Sequence, residues 1–107
     1  MGSSKGVADM GVSVVIELRD EGGAKPVVNA LEAYKTRLRA GIERGRRRLA
    51  EFERRYGVET PHFLTHMTAE DLAGGDLEYV DWAGEARLLE NLEHELAELM
   101  DARVQLP

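Results

Sequence analysis

From Pro26 to Tyr56 the apolar residues Val27, Leu31, Tyr34, Leu38, Ile42, Leu49, Phe52 and Tyr56 return at steps of three and four, with one gap. That period belongs to an amphipathic helix. Pro26 suits a first helical turn, where its missing N–H costs nothing, and Gly57 is a natural stop. A helix longer than about 25 residues predicts a hairpin or a coiled-coil arm. The gap holds Gly45, with Gly41 four residues earlier. Each glycine costs about 1 kcal/mol relative to alanine inside a helix. Both lie beside the apolar seam, so close approach of a second helix would offset the cost, and a bend is the alternative.

A second helical period runs from Leu77 to about Ala102. Its seam is Trp82, Ala86, Leu89, Leu92, Leu96 and Leu99, flanked by Val80, Leu88 and Met100 and interrupted by Gly84. The segment between the two periods has its own punctuation. Thr60 before Pro61 reads as an N-cap and first turn, opening a short helix through Met67. Thr68 and Asp71 resemble a capping box, Leu72 is apolar, and Gly74-Gly75 closes the turn. Asp76 is the expected cap of the last helix, with Glu78 and Asp81 near its positive end. A short link between two long helices predicts an antiparallel hairpin. Phe52, Tyr56, Phe63, Leu64 and Trp82 would gather at its connected end as a structural cluster. Buried Tyr56 and Trp82 would each need a polar partner.

The expected organisation is a flexible tail over 1–11, an extended or strand-like arm over 12–25, and a helical hairpin domain over 26–107. The start, MGSSKG, has no apolar signal-peptide stretch, and Met1 to Ser4 are of the kind an expression vector leaves. Val12, Val14, Val15, Ile16 and Leu18 form a β-prone run. One strand cannot satisfy its own backbone, so the arm lies on the helices or adds to a partner or a second copy. The fold class is mainly α. A chain of 107 residues buries only a modest core, so dimerisation is expected to complete the bundle.

Composition removes several functions. With no cysteine there is no disulfide, thiol catalysis or thiolate-bound metal. No apolar run nears the roughly 20 residues that span a bilayer, so no membrane contact and a cytoplasmic location are expected. The net charge of -6 does not draw the whole chain to nucleic acid or anionic lipid. No nucleophile–base set stands out, since Ser3, Ser4 and Ser13 lie in or beside the tail. No glycine-rich phosphate loop follows a strand, and the paired Glu-x-x-His elements of di-iron bundles are missing. His62 and His66 share a helical face and could take Glu59, Glu70 or His94 as a further ligand. Two histidines more often face solvent, so no metal and no cofactor is expected. The chain reads as a non-enzyme.

Charge is the clearest functional signal. Residues 35–55 carry nine basic and three acidic side chains, while residues 69–101 carry eleven acidic ones and one arginine. An antiparallel hairpin sets these surfaces side by side, which fixes orientation more than it adds stability. Arg44, Arg47, Arg48, Arg55 and Arg37 share a broad face. Such a patch could take phosphate, but no nucleic-acid reader motif is present and the neighbouring helix is acidic. Nucleic acid is therefore not expected as a partner of this chain alone. The partner-binding candidates are Val12, Val14, Ile16 and Leu18 on the arm, Arg44, Arg47 and Arg48 on the first helix, and Tyr79, Glu85 and Glu93 on the last.

The elements Phe52-Glu53-Arg54-Arg55-Tyr56-Gly57, Phe63-Leu64, Ala73-Gly74-Gly75-Asp76 and Tyr79-Val80-Asp81-Trp82 stand in an order and spacing that resembles a family of small prokaryotic helical proteins. Some of that family act as antitoxin-like partners encoded beside a small toxin. The resemblance spans roughly residues 49–99. The chain departs from the pattern at Asp81, where glutamate is usual, and at Thr65-His66-Met67, where a basic residue and an aromatic are usual. The resemblance implies an interaction subunit that binds and neutralises or stabilises a partner protein. Two other readings stand beside it. One is a self-assembling homodimer or four-helix bundle. The other is a nucleic-acid-associated or histidine-dependent metal-binding accessory.

Overall fold

The structure, a computed structural model, describes residues 15–17, 21–101 and 103–105. The tail over 1–11 and the arm residues Val12, Val14 and Leu18 lie outside the described residues. Strand β1 (Val15–Glu17) precedes a 3-10 turn (Glu21–Gly23) and helix α1 (Ala24–Tyr56). Helix α2 (Thr60–His66), a 3-10 turn (Ala69–Asp71), helix α3 (Gly75–Met100) and strand β2 (Arg103–Gln105) follow. Helices α1 and α3 pack together as the predicted hairpin.

Helix α1 begins two residues before Pro26, leaving the proline in its first turn. The predicted arm over 12–25 is thus shortened at its C-terminal end. Gly57, at φ 69°, ends α1 where the sequence predicts, and its N–H reaches the Glu53 carbonyl at 2.8 Å. The left-handed conformation is one that only glycine adopts without strain.

The chain divides into two compact units, residues 40–93 and the remainder. The remainder holds the strand pair. β1 and β2 run parallel, with Val15 opposite Arg103, Ile16 opposite Val104 and Glu17 opposite Gln105. The described part of the β-prone run, Val15–Glu17, therefore pairs with Arg103–Gln105 of the same chain. Parallel strands need a long crossover, and here the whole hairpin supplies it. In the same unit, Leu38 is buried and the Tyr34 hydroxyl donates to Glu95. That bond, then partial burial and the Glu95 charge, push the Tyr34 phenol above its ordinary value.

Within residues 40–93 Gly41 and Gly45 are both buried, and the close approach is at Gly41. A Cβ on Gly41 would lie 3.1 Å from Leu92 Cδ1, tighter than ordinary packing, whereas one on Gly45 would meet Leu89 Cδ1 at an ordinary 3.4 Å. Helix α1 continues through both positions.

The core of this unit is Phe52, Phe63, Leu72 and Trp82, with Leu49, Tyr56, Val58, Met67, Tyr79 and Ala83 packed against it. Phe63 stacks on the Trp82 indole with ring centroids 3.8 Å apart and planes 3° from parallel. Phe52 and Tyr56 stack on the same indole at 5.1 and 5.6 Å. Four of the five residues of the predicted cluster therefore meet. Leu64 does not, and is 46% exposed. On the short helix α2, Thr60 and Phe63 turn inward, and at about 100° per residue Leu64 is carried outward. Leu72 takes the place in the core that the sequence assigns to Leu64.

Candidate partner-binding surface

Polar groups join the elements at the connected end of the hairpin. Thr60 is not the cap of α2 but its first residue, buried, with Glu59 in the cap position and no side-chain cap bond there. Glu53 on α1 accepts both the Thr60 N–H and its hydroxyl at 2.8 Å. The Thr60 oxygen in turn accepts the Trp82 indole N–H at 3.1 Å. Asp71 does accept the Thr68 N–H at 2.9 Å, as the capping-box reading expects.

Helix α3 is capped differently from the prediction. Asp76 falls inside its first turn, and the capping oxygen belongs to Glu78, which accepts the Gly74 N–H at 2.8 Å. Glu78 also accepts the Tyr56 hydroxyl and pairs with Arg55. The Tyr56 oxygen accepts the Ala73 N–H at 2.9 Å. The Tyr56 bond first, then the Gly74 N–H, with Arg55 adding to them, hold the Glu78 carboxyl below its ordinary 4.5 against partial burial.

The charged faces meet as expected. Arg46 pairs with Glu93 at 2.8 Å, Arg48 with Asp81, and Arg55 with Glu78. Such partly exposed pairs are worth about 0.2–1 kcal/mol each, so their main effect is on register. They also engage two partner-binding candidates, Arg48 and Glu93, inside the molecule. Arg48 additionally approaches Glu51 at 3.5 Å and lies 4.9 Å over the Phe52 ring. Glu93 is held by Arg46. Tyr79, expected to be displayed, packs tilted against Phe63 at 5.0 Å, because it points back under α2 rather than outward. Arg44 and Arg47 are exposed, and Arg47 has only Glu43 at 3.8 Å. Glu85 is half-buried and has no ion pair among the described residues. Ile16 is described through its backbone pairing with Val104.

Three side chains absent from those candidates stand out instead. Leu77 is 85% exposed, Val80 67% and Leu88 51%. At 100° per residue Leu77, Val80, Gly84 and Leu88 fall within about 80° of arc and extend about 16 Å along α3. A Cβ at Gly84 would meet nothing within 4 Å. The sequence carries this signal as a second apolar period, offset from the Trp82–Leu99 seam. The stripe is bordered by Asp76, Asp81, Glu85 and Glu90, and by Arg87 as the single arginine of α3. A shallow depression of about 310 Å³ lies at the end of α1, lined by Ala50, Glu53, Arg54, Gly57, Val58 and Glu59.

Among the described residues, no group of three or more histidines, aspartates or glutamates is placed to hold a metal ion. Nor is any helix among them long and apolar enough to cross a membrane. Comparison of the chain with protein-family profiles, with curated proteins and with solved structures gives no match.

Proposed function

We propose that the chain is an interaction subunit, antitoxin-like in kind and cytoplasmic, which binds a partner protein through the outer face of α3. The observation that carries this reading is the exposed Leu77–Val80–Leu88 stripe. Three large apolar side chains clustered on one helical face mark a docking surface in a way that scattered ones do not. Its acidic border selects the occupant. A basic amphipathic helix would bury its apolar residues on the stripe and set lysines or arginines against Asp76, Glu85 and Glu90.

The same border disfavours a second copy as occupant of this face. An isologous pairing is self-complementary, and in an antiparallel pairing centred on Gly84 the flank carrying Glu85 lies against its own equivalent. Like charges would then face each other across the contact.

The test is co-expression with proteins encoded beside this one, followed by measured affinity for the chain that co-purifies. Triple replacement of Leu77, Val80 and Leu88 by serine is expected to abolish that complex while leaving the helical circular dichroism unchanged. A complex that survives the triple replacement overturns the α3 assignment, as does a partner segment with an acidic contact face. A concentration-stable homodimer lost in the triple variant would show a second copy on this face.

A further inference from the structure

We propose that His62 and His66 form a two-imidazole clamp for one divalent late-transition-metal ion of the zinc class. Both side chains are exposed, while Thr60 and Phe63 occupy the buried side of the same helix. The i, i+4 spacing stacks the two rings, with centroids 4.8 Å apart and planes 13° from parallel. Two imidazoles this close on one exposed helical face can turn about their side-chain bonds so that one nitrogen of each reaches the roughly 2.0–2.1 Å that zinc takes from histidine.

Thr65 adds a third polar group to this pair. Its hydroxyl lies 2.9 Å from the Pro61 carbonyl and 3.4 Å from that of His62, and the same oxygen lies 2.6 Å from His66 Nδ1. In the proposed bound form the hydroxyl donates to the Pro61 carbonyl and receives the Nδ1–H of His66, which leaves the Nε2 lone pair for the ion. This outer hydrogen bond is the device by which metal-binding histidines are held in one tautomer and orientation.

The donor set defines the ion. Neutral imidazoles favour zinc, copper and nickel over magnesium and calcium, which prefer oxygen. Two ligands leave two tetrahedral positions to solvent, so the site is an exchangeable one and not a closed structural centre.

Zinc chloride titrated into the full chain, with magnesium chloride as control, tests the proposal. Calorimetry should show saturable zinc binding and none with magnesium. His62→Ala and His66→Ala should each abolish it, with far-ultraviolet circular dichroism reporting an unchanged fold. Thr65→Val should weaken zinc binding about tenfold, the lower end of the effect of such outer partners. Nitrogen-detected histidine spectra should show His66 protonated at Nδ1 and perturbed at Nε2 on adding zinc. Zinc affinity unchanged in both alanine variants, equal binding of magnesium, or zinc on Nδ1 of His66 would each overturn the proposal.

Discussion

The indole N–H of Trp82 donates to the hydroxyl of Thr60 at 3.1 Å, and that hydroxyl donates to Glu53 at 2.8 Å. One threonine thus ties α3 to α2 and α2 to α1. Trp82 is fully buried, and among the described residues no buried side-chain polar atom lacks a partner. Satisfaction of the indole therefore depends on this single oxygen.

Thr60→Val keeps the shape of the side chain and removes the oxygen. It leaves the buried Trp82 N–H without an acceptor and withdraws one of two bonds to Glu53. The expected loss is about 1–3 kcal/mol, the cost of orphaning a buried donor. Thr60→Ser should stay close to wild type. Urea melts followed by tryptophan fluorescence measure both, since Trp82 is the sole tryptophan.

Phe63 and Leu64 are adjacent in sequence and opposite in consequence. Phe63→Ala removes a ring that stacks on Trp82 at 3.8 Å and should cost about 3–5 kcal/mol. Leu64→Ala alters a half-exposed side chain outside the cluster, and should change stability by no more than about 0.5 kcal/mol. Equal effects in chemical denaturation would place Leu64 in the core after all.

That pair shows where the sequence stops being legible. The long periods of α1 and α3 run for many turns, so their inward faces average over many residues and are read correctly. Helix α2 has only seven residues, too few for a period to say whether Phe63 or Leu64 faces in. The role of Thr60 depends on Glu53 and Trp82, which are near it only after folding, so the sequence shows only a local cap. The partner of β1 is a three-residue strand, too short to carry a β pattern of its own. Among the candidate contacts, Arg48 and Glu93 are not separable from free surface charges in the sequence, because charge segregation reveals two complementary faces without saying which pairs close within the molecule. Of the stripe, Val80 and Leu88 read only as residues flanking the seam and Leu77 only as the start of the helix, since exposure and not hydrophobicity distinguishes the two periods.

Two glycines should respond to alanine with opposite signs. At Gly45 a new Cβ meets Leu89 at ordinary contact distance, so Gly45→Ala should gain up to about 1 kcal/mol of helix propensity. Gly57 sits at φ 69° with open space around its Cα. Gly57→Ala should lose about 1 kcal/mol from left-handed strain alone. Thermal melts of the two variants against wild type check the pair, and a gain at Gly57 would contradict the observed helix stop.

Glu78 sets the expected pH dependence at the connected end. Its carboxylate is stabilised by the Tyr56 hydroxyl first, then by the Gly74 N–H and Arg55, so its folded value lies below the ordinary 4.5. A depressed folded value means that the unfolded chain binds the proton more readily. The contribution is complete above the unfolded value and is lost as pH falls through the folded one. Glu78→Gln should be less stable than wild type at neutral pH, and the gap should narrow on acidification below 4.5. Denaturant melts of both proteins across that range measure it. A gap that widens as pH falls would mean that the carboxylate is destabilised in the fold, contrary to its three donors.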